Sequence, residues 1–143
     1  MNEALHLADQ AMALGEVPVG ALVVHHGEIV GRGFNQVEKL RDASAHAEVL
    51  ALRQSAEKLG QWRLNDCTLF VTVEPCVMCA GAIALARVSE VFFGCFEPKF
   101  GAFGSNFDLR DVGSLGKQIK VYSGIEAEAG AKRLSEFFGQ RRG

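Results

Sequence analysis

The chain has 143 residues and a mass of 15.4 kDa, enough for one domain with a sizeable core, so a single domain over residues 1–143 is expected. With 48% hydrophobic and 22% charged residues and a net charge of −2, it is no disordered chain, collagen or disulfide miniprotein, and no protein that coats nucleic acid indiscriminately. The apolar runs are short and fall well below the roughly 20 residues of a membrane span, the one that includes Ala80 to Ala86 among them. No signal-peptide pattern opens the chain, so a cytoplasmic protein with no membrane partner is expected.

Residues 3–14 read as an amphipathic helix with Leu5, Ala8, Met12 and Ala13 on one side, ended by Gly15. Val17 to His25 and Glu28 to Phe34 read as strands joined by a two-residue turn at His26-Gly27, which makes His25 and His26 surface residues and not ligands. Ser44 is a candidate cap for a helix that carries Val49, Leu50 and Leu52 to Leu59 and stops at Gly60. Thr68 to Val73 is a β-branched buried strand. Pro75 ends it, and Cys76 to Arg87 reads as a helix. Glu90 to Cys95 is a strand, Gly94 to Ser105 a glycine-rich loop, Gln118 to Tyr122 a short strand and Glu126 to Phe138 a terminal helix. The order α-ββ-α-β-α-β-β-α predicts an α/β fold, a three-layer α/β/α sandwich on a mixed five-stranded sheet. The strand–helix–strand unit from Thr68 to Cys95 predicts a parallel crossover.

Four cysteines in a chain of this kind point to metal, catalysis or core packing before disulfides. Cys67 and Cys95 sit alone beside apolar strands and read as small buried hydrophobes. Cys76 and Cys79 share a face of a helix start, where N–H groups and the dipole favour thiolate. That pair alone is either a redox couple or half of a metal site. His46-Ala47-Glu48 supplies the other half. Residues two apart on a helix diverge by about 200°, so both face one site only if His46 lies at the non-helical entry and Glu48 in the first turn. His46, Cys76 and Cys79 then form three ligands with an open fourth position, the pattern of a catalytic zinc. Such an ion acidifies water, and Glu48 is placed to carry the proton. H-x-E followed by P-C-x-x-C is the signature of the zinc deaminases.

The sequence resembles the bacterial tRNA-specific adenosine deaminases, within the cytidine/deoxycytidylate deaminase superfamily. The resemblance covers most of the chain: Glu16-Val17-Pro18-Val19-Gly20-Ala21, Gly33-Phe34-Asn35, Ala45-His46-Ala47-Glu48, Glu74 to Ala82, Phe93-Gly94 with Lys99, Gly101-Ala102 and Gly104-Ser105, and Leu134 to Phe138 with Arg141-Arg142. It implies a cytidine-deaminase-like fold and hydrolysis of adenosine to inosine at the wobble position (34) of a tRNA, usually an arginine tRNA. It also implies a homodimer with one zinc per subunit and no other protein partner. Glu48 is implied as the proton shuttle. Asn35, Ala47, Phe137, Phe138, Arg141 and Arg142 are implied as substrate contacts. The last fourteen residues carry Lys132, Arg133, Arg141 and Arg142 against Glu136 alone. By themselves these read as a solvated helix end; under the resemblance they become phosphate contacts.

The chain departs from the familiar pattern at Glu97-Pro98 and at Phe100 and Phe103, in a loop that borders the RNA face in the family. Both phenylalanines either pack the loop or alter stacking against RNA. Trp62 is expected to cover a core edge, His6 to face solvent, and Gly81, Ala82, Ala84 and Ala86 to pack closely on the sheet and form part of a dimer contact. Glu74 either orients the metal turn or is structural. Rival readings are a deaminase of a free base such as guanine or cytosine, a non-catalytic RNA-binding subunit, and a zinc-free redox protein. An intact Glu48 and His46 speak against the last two.

Overall fold

The computed structural model describes residues 1–142, apart from the side chain of Arg142. β1 (Gly20–His25), β2 (Glu28–Phe34), β3 (Cys67–Val73), β4 (Glu90–Cys95) and β5 (Lys120–Tyr122) form one five-stranded sheet in the order β2-β1-β3-β4-β5. β1 is antiparallel to β2 and β3, whereas β3, β4 and β5 are parallel, so the sheet is mixed as expected. α1 (Asn2–Ala13) and α5 (Ala127–Arg142) pack together on one face, and α3 (Ala47–Leu59) and α4 (Val77–Leu85) on the other. A short α2 (Val37–Leu40) precedes α3, and a 3-10 turn at Leu109–Asp111 follows β4. The result is the α/β/α sandwich, with β3–α4–β4 as its parallel crossover.

The hairpin turn is the expected one. His26 and Gly27 have φ of 49° and 81°, the paired positive values that match strand twist. Ile83 of α4 and Val71, Val91 and Phe93 of the central strands are fully buried in one core, each contributing about 1.5–3 kcal/mol by leaving water. On β2, a Cβ at Gly31 would lie 2.1 Å from Ser55 Oγ and one at Gly33 2.2 Å from the Ala47 carbonyl oxygen. Only glycine lets α3 press this closely on the strand, and that approach seats the His46–Glu48 turn.

Several sequence expectations need correction. β1 begins at Gly20 and not at Val17, because Pro18 has no N–H for the ladder and the Val19 N–H turns back to the Val17 carbonyl. α1 buries Ala4, Leu5, Leu7, Ala8 and Ala11, while Ala13 is exposed. Ser44 does not cap α3. Its hydroxyl and N–H both go to Asp42, and His46 is the N-cap. α4 is shorter than expected because Cys76 is its N-cap and Arg87, at φ 66°, turns the chain out. β5 spans only Lys120–Tyr122, and α5 runs on past Phe138 to Arg142. Trp62 does not cover the core. It is 55% exposed beneath the Arg63 guanidinium, and Leu64 is the buried residue there. Gly81 meets nothing within 4 Å of a built Cβ, so it faces open space instead of packing on the sheet. His6 faces solvent as expected.

Candidate functional site

Two helix starts meet at the carboxyl ends of the central strands. His46 is the N-cap of α3 (φ −76°, ψ 154°) and Cys76 the N-cap of α4 (φ −76°, ψ 176°), both extended. Neither side chain caps its own helix; both turn toward one point. His46 Nδ1 lies 3.7 Å from Cys76 Sγ and 3.5 Å from Cys79 Sγ. All three donor atoms fall within 4.8 Å of one another and could hold a metal ion. Glu48, in the first turn of α3 and 4% exposed, sits beside them. The entry-and-first-turn arrangement required by the H-x-E spacing is the one observed.

The electrostatics place negative charge among the three donors. The Cys76 thiol is pulled down to about 4, chiefly by the hydrogen bond from Cys79, with His46 assisting. The same bond, together with burial, pushes the Cys79 thiol up, so the pair holds one negative charge on Cys76. The bond to Cys76 raises His46. Burial pushes the Glu48 carboxyl up to about 7, so that it can both accept and return a proton near neutrality.

These groups form one wall of a cavity of about 760 Å³. Asn35 lines it and is 9% exposed. Its Oδ1 accepts the Ala47 N–H at 2.8 Å, which leaves the NH2 for a ligand. Ala47 itself is fully buried and not among the lining residues; it serves through that N–H. Phe137 is buried (6%), with the Arg141 guanidinium 4.5 Å above its ring, while Phe138 is 44% exposed. Phe137, Phe138 and Arg141 all border the cavity, and Arg141 donates to the Gly15 carbonyl at 2.7 Å. The expected contact at Arg142 rests on its side chain, which lies outside the described part of the structure.

Two carboxylates build the rim. Glu16, 3% exposed, accepts the Glu38 and Lys39 N–H groups at 3.1 and 2.8 Å and fixes the start of α2. Sequence reasoning missed this role. The only local signal was an acid beside Val17-Pro18 at a strand entry. Glu74, also 3% exposed, accepts the N–H groups of Glu97, Phe103 and Ser105 at 2.9, 3.0 and 3.1 Å, and the Ser105 hydroxyl. It ties the glycine-rich loop to the turn that carries Cys76, so of its two readings it orients the site by holding this loop.

Comparison with known proteins agrees with this geometry. The family model described as MafB19-like deaminase matches residues 1–142. A tRNA-specific adenosine deaminase of Haemophilus influenzae is 46% identical over 143 residues, 99% of this chain and 83% of that one. A solved structure from work on A-to-I editing by tRNA:A34 deaminases at the wobble position superposes with a TM-score of 0.85 at 39% identity. It covers 94% of this chain and 97% of that one. A guanine deaminase from Nitrosomonas europaea reaches a TM-score of 0.82 at 26% identity, covering 96% and 82%. A family match from end to end of the described chain, with full-length relatives at this identity, means that the chain belongs to the deaminase family, among the tRNA-specific adenosine deaminases.

Proposed function

We propose that this protein converts adenosine to inosine at the wobble position (34) of a tRNA, an arginine tRNA foremost, as a cytoplasmic homodimer. Each chain forms one catalytic domain with one zinc. The observation that carries the reading is the convergence of His46 Nδ1, Cys76 Sγ and Cys79 Sγ beside the buried Glu48, in a cavity lined by Asn35. The spacing of the donors supports zinc. A tetrahedral ion with Zn–S near 2.3 Å and Zn–N near 2.0–2.1 Å sets N and S about 3.6 Å apart, and the two N···S distances are 3.5 and 3.7 Å. When bound, zinc supplies Lewis-acid activation of the attacking water.

Glu48 takes one proton from that water and delivers it to purine N1, so that the oxygen bonds to C6. It takes the second proton from the same oxygen and delivers it to the amino nitrogen. The C6–N bond breaks, ammonia leaves and inosine remains. Asn35 holds the nucleoside through its free NH2, because its oxygen is committed to Ala47. Phe138 and Arg141 receive the loop around the target. An unpaired loop adenosine enters this cavity at lower cost than one stacked in a duplex. No helix among the described residues is long and apolar enough to cross a membrane.

The test incubates the protein with a synthetic anticodon stem-loop, free adenosine, guanine and cytosine, and measures inosine and ammonia. Inosine in the stem-loop, lost after chelation and restored by zinc, is the expected result. Ammonia from guanine or cytosine alone would replace this reading with a free-base deaminase.

A further inference from the structure

Phe100 and Phe103 have opposite fates. Phe103 is 3% exposed and packs in the core, whereas Phe100 is 61% exposed at the cavity rim. Leaving a ring of this size in water forgoes burial, yet the loop that carries it is firmly built. Glu74 holds the loop at Glu97, Phe103 and Ser105. The Phe100 N–H donates to the Glu97 carboxylate. The Ala102 N–H donates to the Pro75 carbonyl at 2.9 Å, and Gly101 bridges to Cys76. A Cβ at Gly101 would lie 2.2 Å from Glu74 Oε1, so the backbone next to Phe100 is pressed against the anchor. Lys99 Nζ stands 5.3 Å from the Phe100 ring centroid and also lines the cavity. Phe138, 44% exposed, and Arg141 border the same cavity from α5.

Resting on the functional reading above, we propose that Phe100 is a stacking platform for the unpaired nucleobase next to the reacting adenosine, with Lys99 beside it for the adjoining phosphate and Glu74 as the positioning residue that holds it there. A target base drawn into the cavity brings its neighbours to the rim. An unstacked base arriving there needs an apolar face, and a fixed, open phenyl ring supplies one. Stacking on an aromatic ring tolerates every base, so the platform strengthens loop binding without reading sequence. Its loss is worth roughly 5- to 150-fold. Binding through the flanking base is the same in ground and transition states, so the loss falls on KM and not on kcat.

The test compares the wild type, Phe100→Ala and Phe100→Tyr on an anticodon stem-loop and on two versions with an abasic nucleotide immediately 5′ or 3′ of the target. Glu48→Ala and Glu48→Ala/Phe100→Ala proteins report binding of the same three loops by fluorescence anisotropy. Phe100→Ala is expected to raise KM about tenfold with kcat and thermal midpoint unchanged, and Phe100→Tyr to restore it. One abasic loop should cost the wild type a similar factor and cost Phe100→Ala nothing more. Equal KM for wild type and Phe100→Ala, or losses that multiply, would overturn the platform while the deaminase reading stands. A wild type that makes no inosine in the intact loop would overturn both.

Discussion

His46 and Cys76 occupy helix N-cap positions, where serine, threonine, aspartate and asparagine are the usual residues, and neither side chain makes a capping bond. Their placement follows ligand geometry instead, and this is why the site could be read from local spacing. H-x-E works only with the histidine outside the helix and the glutamate in its first turn. What spacing could not show was the wiring around the site. Ser44 looked like the cap, but its hydroxyl is taken by Asp42. Asn35, twelve residues away, instead accepts the first N–H of α3. Glu48→Gln should keep its zinc, measured by elemental analysis, and lose about 10²- to 10⁴-fold in kcat; near-normal turnover would remove Glu48 as the proton carrier. After chelation, native alkylation followed by peptide mass spectrometry should label the half-buried Cys76 first, and spare Cys67 and Cys95, whose thiols burial pushes up.

Elements reach the site through close approaches. α3 can lie against β2 only because Gly31 and Gly33 offer no side chain. Gly33→Ala should therefore cost about 1–3 kcal/mol of stability by overpacking, read from denaturant unfolding, and should also weaken zinc retention, because the turn it displaces carries His46. A variant as stable as the parent would show that the helix is free to shift. The loop anchored by Glu74 is the second case. Its carboxylate satisfies three backbone N–H groups, and truncation leaves each short of a partner at about 1–3 kcal/mol. Glu74→Ala should accordingly make the 97–105 segment the first to gain hydrogen exchange. Strand and helix types were legible because hydrophobic period and glycine and proline punctuation are local. Boundaries and buried faces were less so. α1 buries Leu7 and Ala11 in place of Ala13 because two of its partners, α5 and β3, come from distant parts of the chain.

For the whole molecule, order and sheet topology follow from a hairpin followed by strands alternating with helices; α3 and α4 share one core with the sheet, and α1 and α5 cover its other face. Heat unfolding should be a single transition in the zinc-loaded protein, with a midpoint that falls on chelation because the ligands come from two separate helix starts. The most direct measurement is mass spectrometry of the oligonucleotides released by ribonuclease digestion of bulk tRNA treated with the zinc-loaded protein. Conversion of adenosine to inosine at the wobble position of arginine tRNA, absent with Glu48→Gln, is the expected result. Unaltered tRNA alongside ammonia released from free guanine would contradict it.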